Sequence, residues 1–302
     1  MRILVTGAHG FLARGLLALP VPVEWVACGR GTEPVAGHPY HQVDLNDADQ
    51  VDRVLDGVRP DWVINTAAQT SVDQCETDPE AARRVNVMAV EHLARACARV
   101  GSGLLQLSTD YVFDGAAGPY AEGDPPHPLS HYGRMKLESE RVVLEGLQRA
   151  MVVRTLWLYG YVPGGKPNFV TWALQVLHRG ERLTVFDDQW GNPTYVGDLA
   201  HVLAELCRAD ARGLFHVGGA TFLTRHELAL ALCRHYALDE GLVTPVPTRD
   251  AGLVAARPLR SGLRTAALET FLSRRPLGFV EGLEDMGRQP AFRRDFAHLL
   301  QG

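Results

Sequence analysis

Arg2-Ile3-Leu4-Val5-Thr6, followed at once by Gly7-Ala8-His9-Gly10-Phe11-Leu12-Ala13, decides the fold. An apolar strand runs into a glycine turn, and the turn opens a helix expected to reach about Leu19. Strand, Gly-rich turn and helix in that order are the context a dinucleotide-phosphate loop requires. Gly7 permits the tight turn, Gly10 lets the backbone approach a pyrophosphate, and Ala13 keeps the helix close to the sheet. The helix start offers free N–H groups and a positive dipole end to phosphate. The spacing is Gly-x-x-Gly-x-x-Ala, not the Gly-x-Gly-x-x-Gly of the standard fingerprint. His9 reads as an exposed turn residue.

Outward from this unit the chain alternates. Strands are expected at Glu24 to Cys28, Tyr40 to Val43, Asp61 to Asn65, Leu104 to Leu107 and Ala150 to Thr155. Helical patterns separate them, one capped by Asp47 and a long one from Asp78-Pro79 through Asn86 to about Val100. This rhythm predicts an α/β fold, a doubly wound parallel sheet of Rossmann type. After residue 156 the rhythm loosens, and Gly, Pro and aromatic residues gather. Residues 1–156 therefore form the expected dinucleotide-binding domain, rejoined by 195–218. Residues 157–194 and 219–302 form a smaller, C-terminal substrate lobe.

A second stretch carries the chemistry: Ser108-Thr109-Asp110-Tyr111-Val112-Phe113-Asp114-Gly115, a Pro-rich loop, then Tyr132-Gly133-Arg134-Met135-Lys136. A strand delivers Thr109, and a helix carries Tyr132 and Lys136 four residues apart, on one face. Hydroxyl, phenol and ammonium together make a proton-delivery site. Lys136 and Lys166 are the only lysines among 30 Lys and Arg residues. A chain that otherwise uses arginine gains nothing from Lys136 at a surface ion pair, but a compact, tunable ammonium has no arginine substitute.

The second strand decides the cofactor. A carboxylate at its end would favour the ribose hydroxyls of NAD(H), whereas a cation accommodates a 2′-phosphate. The chain has Arg30 there and no acid until Glu33. NADP(H) is the expected cofactor, with NAD(H) as the alternative and a solvated loop arginine as the plainer reading. Small residues at Asn65-Thr66-Ala67-Ala68-Gln69 let a flat ligand approach the backbone at the sheet's C-terminal edge.

Composition excludes other classes. The 302 residues carry a net charge of −5, so no basic surface advertises nucleic acid or an anionic membrane. No apolar run reaches membrane-spanning length. A strand from residue 2 leaves no room for a signal peptide. Five cysteines without a Cys-x-x-Cys pair read as buried free thiols in a reducing compartment, and the expected location is cytoplasmic.

On these residues the chain resembles the extended short-chain dehydrogenase/reductases, and within them the dTDP-4-dehydrorhamnose reductase branch. Thr6 to Ala13, Asn65 to Ala68, Asn86, Tyr132 and Lys136 carry the general likeness. Ser108 to Gly115, Arg154-Thr155-Leu156-Trp157, Asp188-Gln189-Trp190-Gly191-Asn192-Pro193-Thr194 and Arg257-Pro258 carry the branch. The resemblance implies an NAD(P)H-dependent reductase of a nucleotide-linked 4-keto-6-deoxysugar, as in dTDP-rhamnose biosynthesis. Tyr132 would be the general acid, with its pKa lowered by Lys136, and Thr109 would hold the carbonyl oxygen. Gly7, Gly10, Phe11, Leu12, Arg30, Asp44, Leu45, Ala67, Ala68, Gln69 and Leu107 would line the cofactor with Tyr132 and Lys136. Asp110, Tyr111 and Trp157 would contact the sugar nucleotide, and Arg257 its diphosphate. Some members of the branch dimerise around a magnesium held by a glutamate on the first helix. Gly15 stands at that place, so no metal is expected and a homodimer stays open. Two alternatives remain open as well. One is a non-catalytic NADP-binding regulator like the methionine adenosyltransferase beta subunit, and the other is a nucleotide-sugar 4-epimerase. A dehydratase would place a second carboxylate where Tyr111 stands.

Overall fold

The protein is described from a computed structural model that covers residues 1–35 and 37–297. The last five residues assigned to the C-terminal lobe, 298–302, lie outside the described residues. The alternating segments form seven strands: β1 (Arg2–Thr6), β2 (Glu24–Gly29), β3 (Tyr40–Gln42), β4 (Trp62–Asn65), β5 (Gly103–Thr109), β6 (Ala150–Thr155) and β7 (Gly213–Val217). They make one sheet in the order β7-β6-β5-β4-β1-β2-β3, and every pairing is parallel. The order reverses between β1 and β4, and open α/β sheets bind ligands beyond the strand C-termini at such a point.

Both faces of the sheet are buried, which is why its strands read as apolar runs rather than as alternating ones. Leu4, Val26, Val63, Leu104 and Val152 pack with the helices Ala48–Val58 and Ala89–Val100. Ile3, Val5, Ile64, Leu105 and Val153 face the other way, onto the helices Phe11–Leu17 and Val196–Arg208. Gly15, on the first of these, would place a Cβ 3.4 Å from Val196, so that helix lies close against its neighbour. A third apolar cluster draws on the later segments, with Leu174, Leu183, Leu232, Phe279 and Phe292 fully buried. Its helices are Phe169–His178, Arg225–Tyr236 and Phe279–Arg288. The segment around Arg257-Pro258 is laced to the loop after β5. Arg260 N–H donates to Gly115 O at 2.8 Å, Gly118 N–H to Arg260 O at 3.0 Å, and Tyr120 N–H to Gly262 O at 3.0 Å.

Two elements differ from expectation. β5 runs on through Ser108 and Thr109, so both are strand residues, paired with Arg154 and Thr155 of β6. The long helix is not continuous: Pro79–Arg83 and Ala89–Val100 flank one π turn, Arg84–Met88. Such turns carry one extra residue and re-aim the side chain they hold. Here that side chain is Asn86, buried, whose Oδ1 accepts from Gln69 N–H at 2.9 Å while its Nδ2 donates to Gln69 O at 3.0 Å. All five cysteines are free and buried.

Candidate active site

Polar side chains cross the C-terminal edge of the sheet as a bonded row. Thr6 Oγ1 donates to Asn65 Oδ1 at 2.5 Å, and Asn65 Nδ2 donates to Gln106 Oε1 at 2.7 Å. Thr66 Oγ1 donates to Thr6 O at 2.7 Å, which ties the loop after β4 to the glycine turn. Gly7 has φ +65°, in the left-handed region that favours glycine. A Cβ there would sit 3.0 Å from the backbone of Ala67, so the two loops can approach only with glycine at this position.

Over this edge lies a cavity of about 700 Å³. Gly10, Phe11 and Leu12 line one side, and Thr109, Tyr132 and Lys136 line another. The proton-delivery group foreseen from sequence is therefore brought together. Ser130 caps the helix His131–Gly146 through Gly133 N–H at 3.2 Å, which fixes where Tyr132 and Lys136 project. Ala68, Leu107, Asp110, Tyr111 and Trp157 also line the cavity, and Gly7, Ala67 and Gln69 stand in the supporting loops behind it.

Burial sets the protonation states. The Tyr132 phenol is held well above its ordinary pKa, first by burial and then by the Asp110 carboxylate and Tyr111, with the facing Thr109 hydroxyl pulling the other way. Tyr111 meets Tyr132 edge-on, with ring centroids 5.7 Å apart. The net direction is therefore upward, because desolvation of the phenol dominates. Lys136 is itself pushed down to about 8, by burial first, with Glu140 one helical turn on pulling it back up. At neutral pH the phenol is a proton donor and the lysine is still mostly charged. Asp110 is raised by burial, and its two oxygens accept from Ser261 Oγ and from Thr109 Oγ1, the latter at 3.0 Å.

Four further expected residues, Arg30, Asp44, Leu45 and Arg257, do not line this cavity. Arg30 and Asp44 line a separate cavity of about 450 Å³ with Gln42 and Gln50. Asp44 turns its carboxylate to Asn46, whose N–H and Nδ2 both donate to Oδ1 at 3.0 Å. Arg257 is taken up by Asp73, at 3.0 Å. Leu45 is partly buried, and its carbonyl faces His92 Nδ1 at 2.9 Å. The cavity also recruits four residues to which the sequence assigns no part in the site: His9, Thr70, Lys166 and Arg225. His9 is thus half-buried at the site, with Nε2 2.9 Å from Glu33 O, rather than exposed. Lys166 carried a hint, being the other lysine. Arg225 carried none beyond its charge. Among the described residues no group of His, Cys, Asp or Glu could hold a metal ion, and no helix is long and apolar enough to cross a membrane.

Comparison with known proteins places this architecture. The family model for the RmlD substrate binding domain matches residues 1–290. A dTDP-4-dehydrorhamnose reductase of Aggregatibacter actinomycetemcomitans is 33% identical over 297 residues, 94% of this chain and 98% of the relative. A dTDP-4-keto-6-deoxy-D-glucose reductase of Streptomyces niveus is 40% identical over 255 residues, 83% and 84% of the two chains. The methionine adenosyltransferase 2 subunit beta of Rattus norvegicus is 34% identical, over 89% and 82%. The crystal structure of a dTDP-4-dehydrorhamnose reductase from Bacillus anthracis in complex with NADP superposes with a TM-score of 0.84 at 30% identity, covering 95% and 98%.

Proposed function

This chain belongs to the RmlD substrate-binding domain family, and from that footing we propose that it is an NAD(P)H-dependent reductase of a nucleotide-linked 4-keto-6-deoxysugar. The observation that carries the reading is the convergence of Thr109, Tyr132 and Lys136 on a cavity whose facing wall is the Gly10–Leu12 turn. The glycine turn fits a dinucleotide: Gly7 leaves no room for a side chain, and Gly10 caps the helix Phe11–Leu17 with its N–H groups directed to the turn. Two relatives at 33% and 40% identity are reductases of dTDP-linked 4-ketosugars by name.

When bound, the reduced nicotinamide supplies the hydride. Thr109, whose hydroxyl points to Asp110 Oδ1 in this structure, would turn that hydrogen to the carbonyl oxygen that becomes the alkoxide. Tyr132, kept protonated by burial, gives that oxygen its proton. Lys136 places a positive charge one turn along the helix, where it stabilises the phenolate left behind. Asp110, Tyr111 and Trp157 wall the ketosugar side of the cavity.

The proposed cofactor is NADP(H) rather than NAD(H). Arg30 is exposed at the end of β2, has no carboxylate within ion-pair reach among the described residues, and lines its own cavity. Asp44, the acid beside it, is engaged by Asn46.

The likeness to a methionine adenosyltransferase subunit favours a second reading, a cofactor-binding regulator without turnover. Following NADPH oxidation with dTDP-, UDP- and GDP-linked 4-keto-6-deoxysugars separates the two. Turnover with one of them supports the reductase; tight NADPH binding without turnover on any supports the regulator.

A further inference from the structure

Three cations line the cavity: Lys136, Lys166 and Arg225. Lys136 belongs to the proton-delivery group, and Lys166 lies exposed on the loop before the helix Phe169–His178. Arg225 is different, because its seat is built. Its guanidinium lies over the Trp157 ring, 4.1 Å from the centroid. Its Nε donates to Gln189 Oε1 at 3.0 Å, and its backbone N–H donates to Gln189 O at 3.1 Å. Gln189 is buried and held in turn, with Nε2 donating to Thr248 Oγ1 at 3.0 Å. Trp157 adopts φ +43°, a left-handed conformation costly for a side chain of that size. Such backbone persists where surroundings over-determine it, and it clusters at ligand sites. Here it lays the indole under the guanidinium.

Among the described residues the two terminal nitrogens of Arg225 have no hydrogen-bond partner, and no carboxylate stands within ion-pair reach of them. The nearby acid, Asp110, has both oxygens engaged by Ser261 and Thr109. The neighbouring Arg257 is already paired with Asp73. A fixed guanidinium with a free planar fork, opening into a cavity, is a preorganised receptor for a bidentate oxyanion. In a nucleotide-linked 4-ketosugar the base and the sugar are uncharged, and the diphosphate carries the negative charge.

We propose that Arg225, seated on Trp157 and steadied by Gln189, receives the substrate's diphosphate through its two terminal nitrogens. The role expected of Arg257 thereby passes to Arg225. The proposal rests on the nucleotide-sugar reading above and adds the residue that recognises the charged part of the substrate.

The test compares ligands that differ only in the diphosphate. Affinities of dTDP and thymidine, and of UDP and uridine, are measured by calorimetry on the NADP⁺-loaded full chain, for wild type and for Arg225→Met. Methionine keeps an apolar stem on the indole and removes the donors. The preference for diphosphate over nucleoside should fall on the order of ten- to a hundredfold, with nucleoside and NADP⁺ affinities unchanged. Arg225→Lys, which keeps the charge and loses the fork, should hold only part of the preference, and it serves if the Met variant does not fold. An unchanged preference in both variants overturns the proposal. A parallel loss of nucleoside affinity also overturns it, since that marks a merely structural role. Wild type that binds neither diphosphate while binding NADP⁺ overturns the nucleotide-sugar reading itself.

Discussion

Glu140 and Arg154 meet through two hydrogen bonds, Arg154 Nε to Glu140 Oε1 at 2.8 Å and Nη2 to Oε2 at 2.7 Å, with side chains 3% and 4% exposed. Glu140 lies one turn beyond Lys136 on the same helix, and it also accepts the hydroxyl of Ser108 on β5. The pair therefore fastens the helix that carries Tyr132 and Lys136 to β5 and β6. Removing one member leaves a buried charge alone, which costs about 3–5 kcal/mol. Arg154→Ala should lower the unfolding free energy by that much in urea titration. A loss under about 1 kcal/mol would mean the pair behaves like a surface contact.

Lys136 sets the alkaline limit of the rate. Its pKa is depressed to about 8 by burial, so the ammonium loses its proton as pH rises through that value. The kcat/KM of the wild type should fall above about pH 8. A profile flat to pH 10 would show that the charge is not needed or not depressed.

The same depression has a stability counterpart of opposite sign. Between about 8 and the ordinary lysine value of 10.5, the unfolded chain binds a proton that the folded chain does not. The Lys136 contribution to folding stability should therefore improve with pH across that window. Lys136→Met should be the more stable protein at pH 7, and the gap should narrow by pH 10 in denaturant titrations. A gap independent of pH would contradict the depressed value.

His216 governs the acid side. Burial first, then the Arg154 charge, drives its pKa down to about 3. Between about 6.5 and 3 the unfolded chain binds the proton and the folded chain does not, so stability is lost as pH falls through this window. His216→Phe should flatten the decline between pH 6.5 and 4 in thermal melts. An unchanged slope would assign the acid sensitivity elsewhere.

Arg30 should separate the two cofactors. Arg30→Ala is expected to weaken NADPH on the order of ten- to a hundredfold while leaving NADH nearly unaltered, as read by fluorescence titration. Equal losses would remove the 2′-phosphate from its role.

What could be read from sequence follows a physical divide. Ile3-Leu4-Val5 and Trp62-Val63-Ile64 are strands buried on both faces, so their apolar runs announce the parallel sheet. Gly7 announces itself because only glycine suits that backbone. Tyr132 and Lys136 are local to one helix, so their spacing suffices. Ser108 and Thr109, being polar, read as standing at the end of a strand that stops at Leu107, yet the ladder to β6 continues through them. The π turn at Asn86 was hidden, since an apolar helical pattern runs straight across it and the pairing of Asn86 with Gln69 is a tertiary contact. Arg225 was absorbed into a helix start capped by Thr224 and Glu227. Only the folded chain brings it to Trp157, just as only the folded chain gives Arg257 to Asp73. Burial likewise decides that the Tyr132 phenol stays high, against what a neighbouring ammonium suggests.

The central claim is that the buried phenol of Tyr132 hands its proton to the reduced ketone. Single-turnover NADPH oxidation with dTDP-4-keto-6-deoxyglucose, for wild type and Tyr132→Phe, tests it most directly. The account predicts that the variant loses about 10²–10⁴-fold in rate while binding NADPH as the wild type does. A variant that oxidises NADPH at a near-normal rate would contradict it.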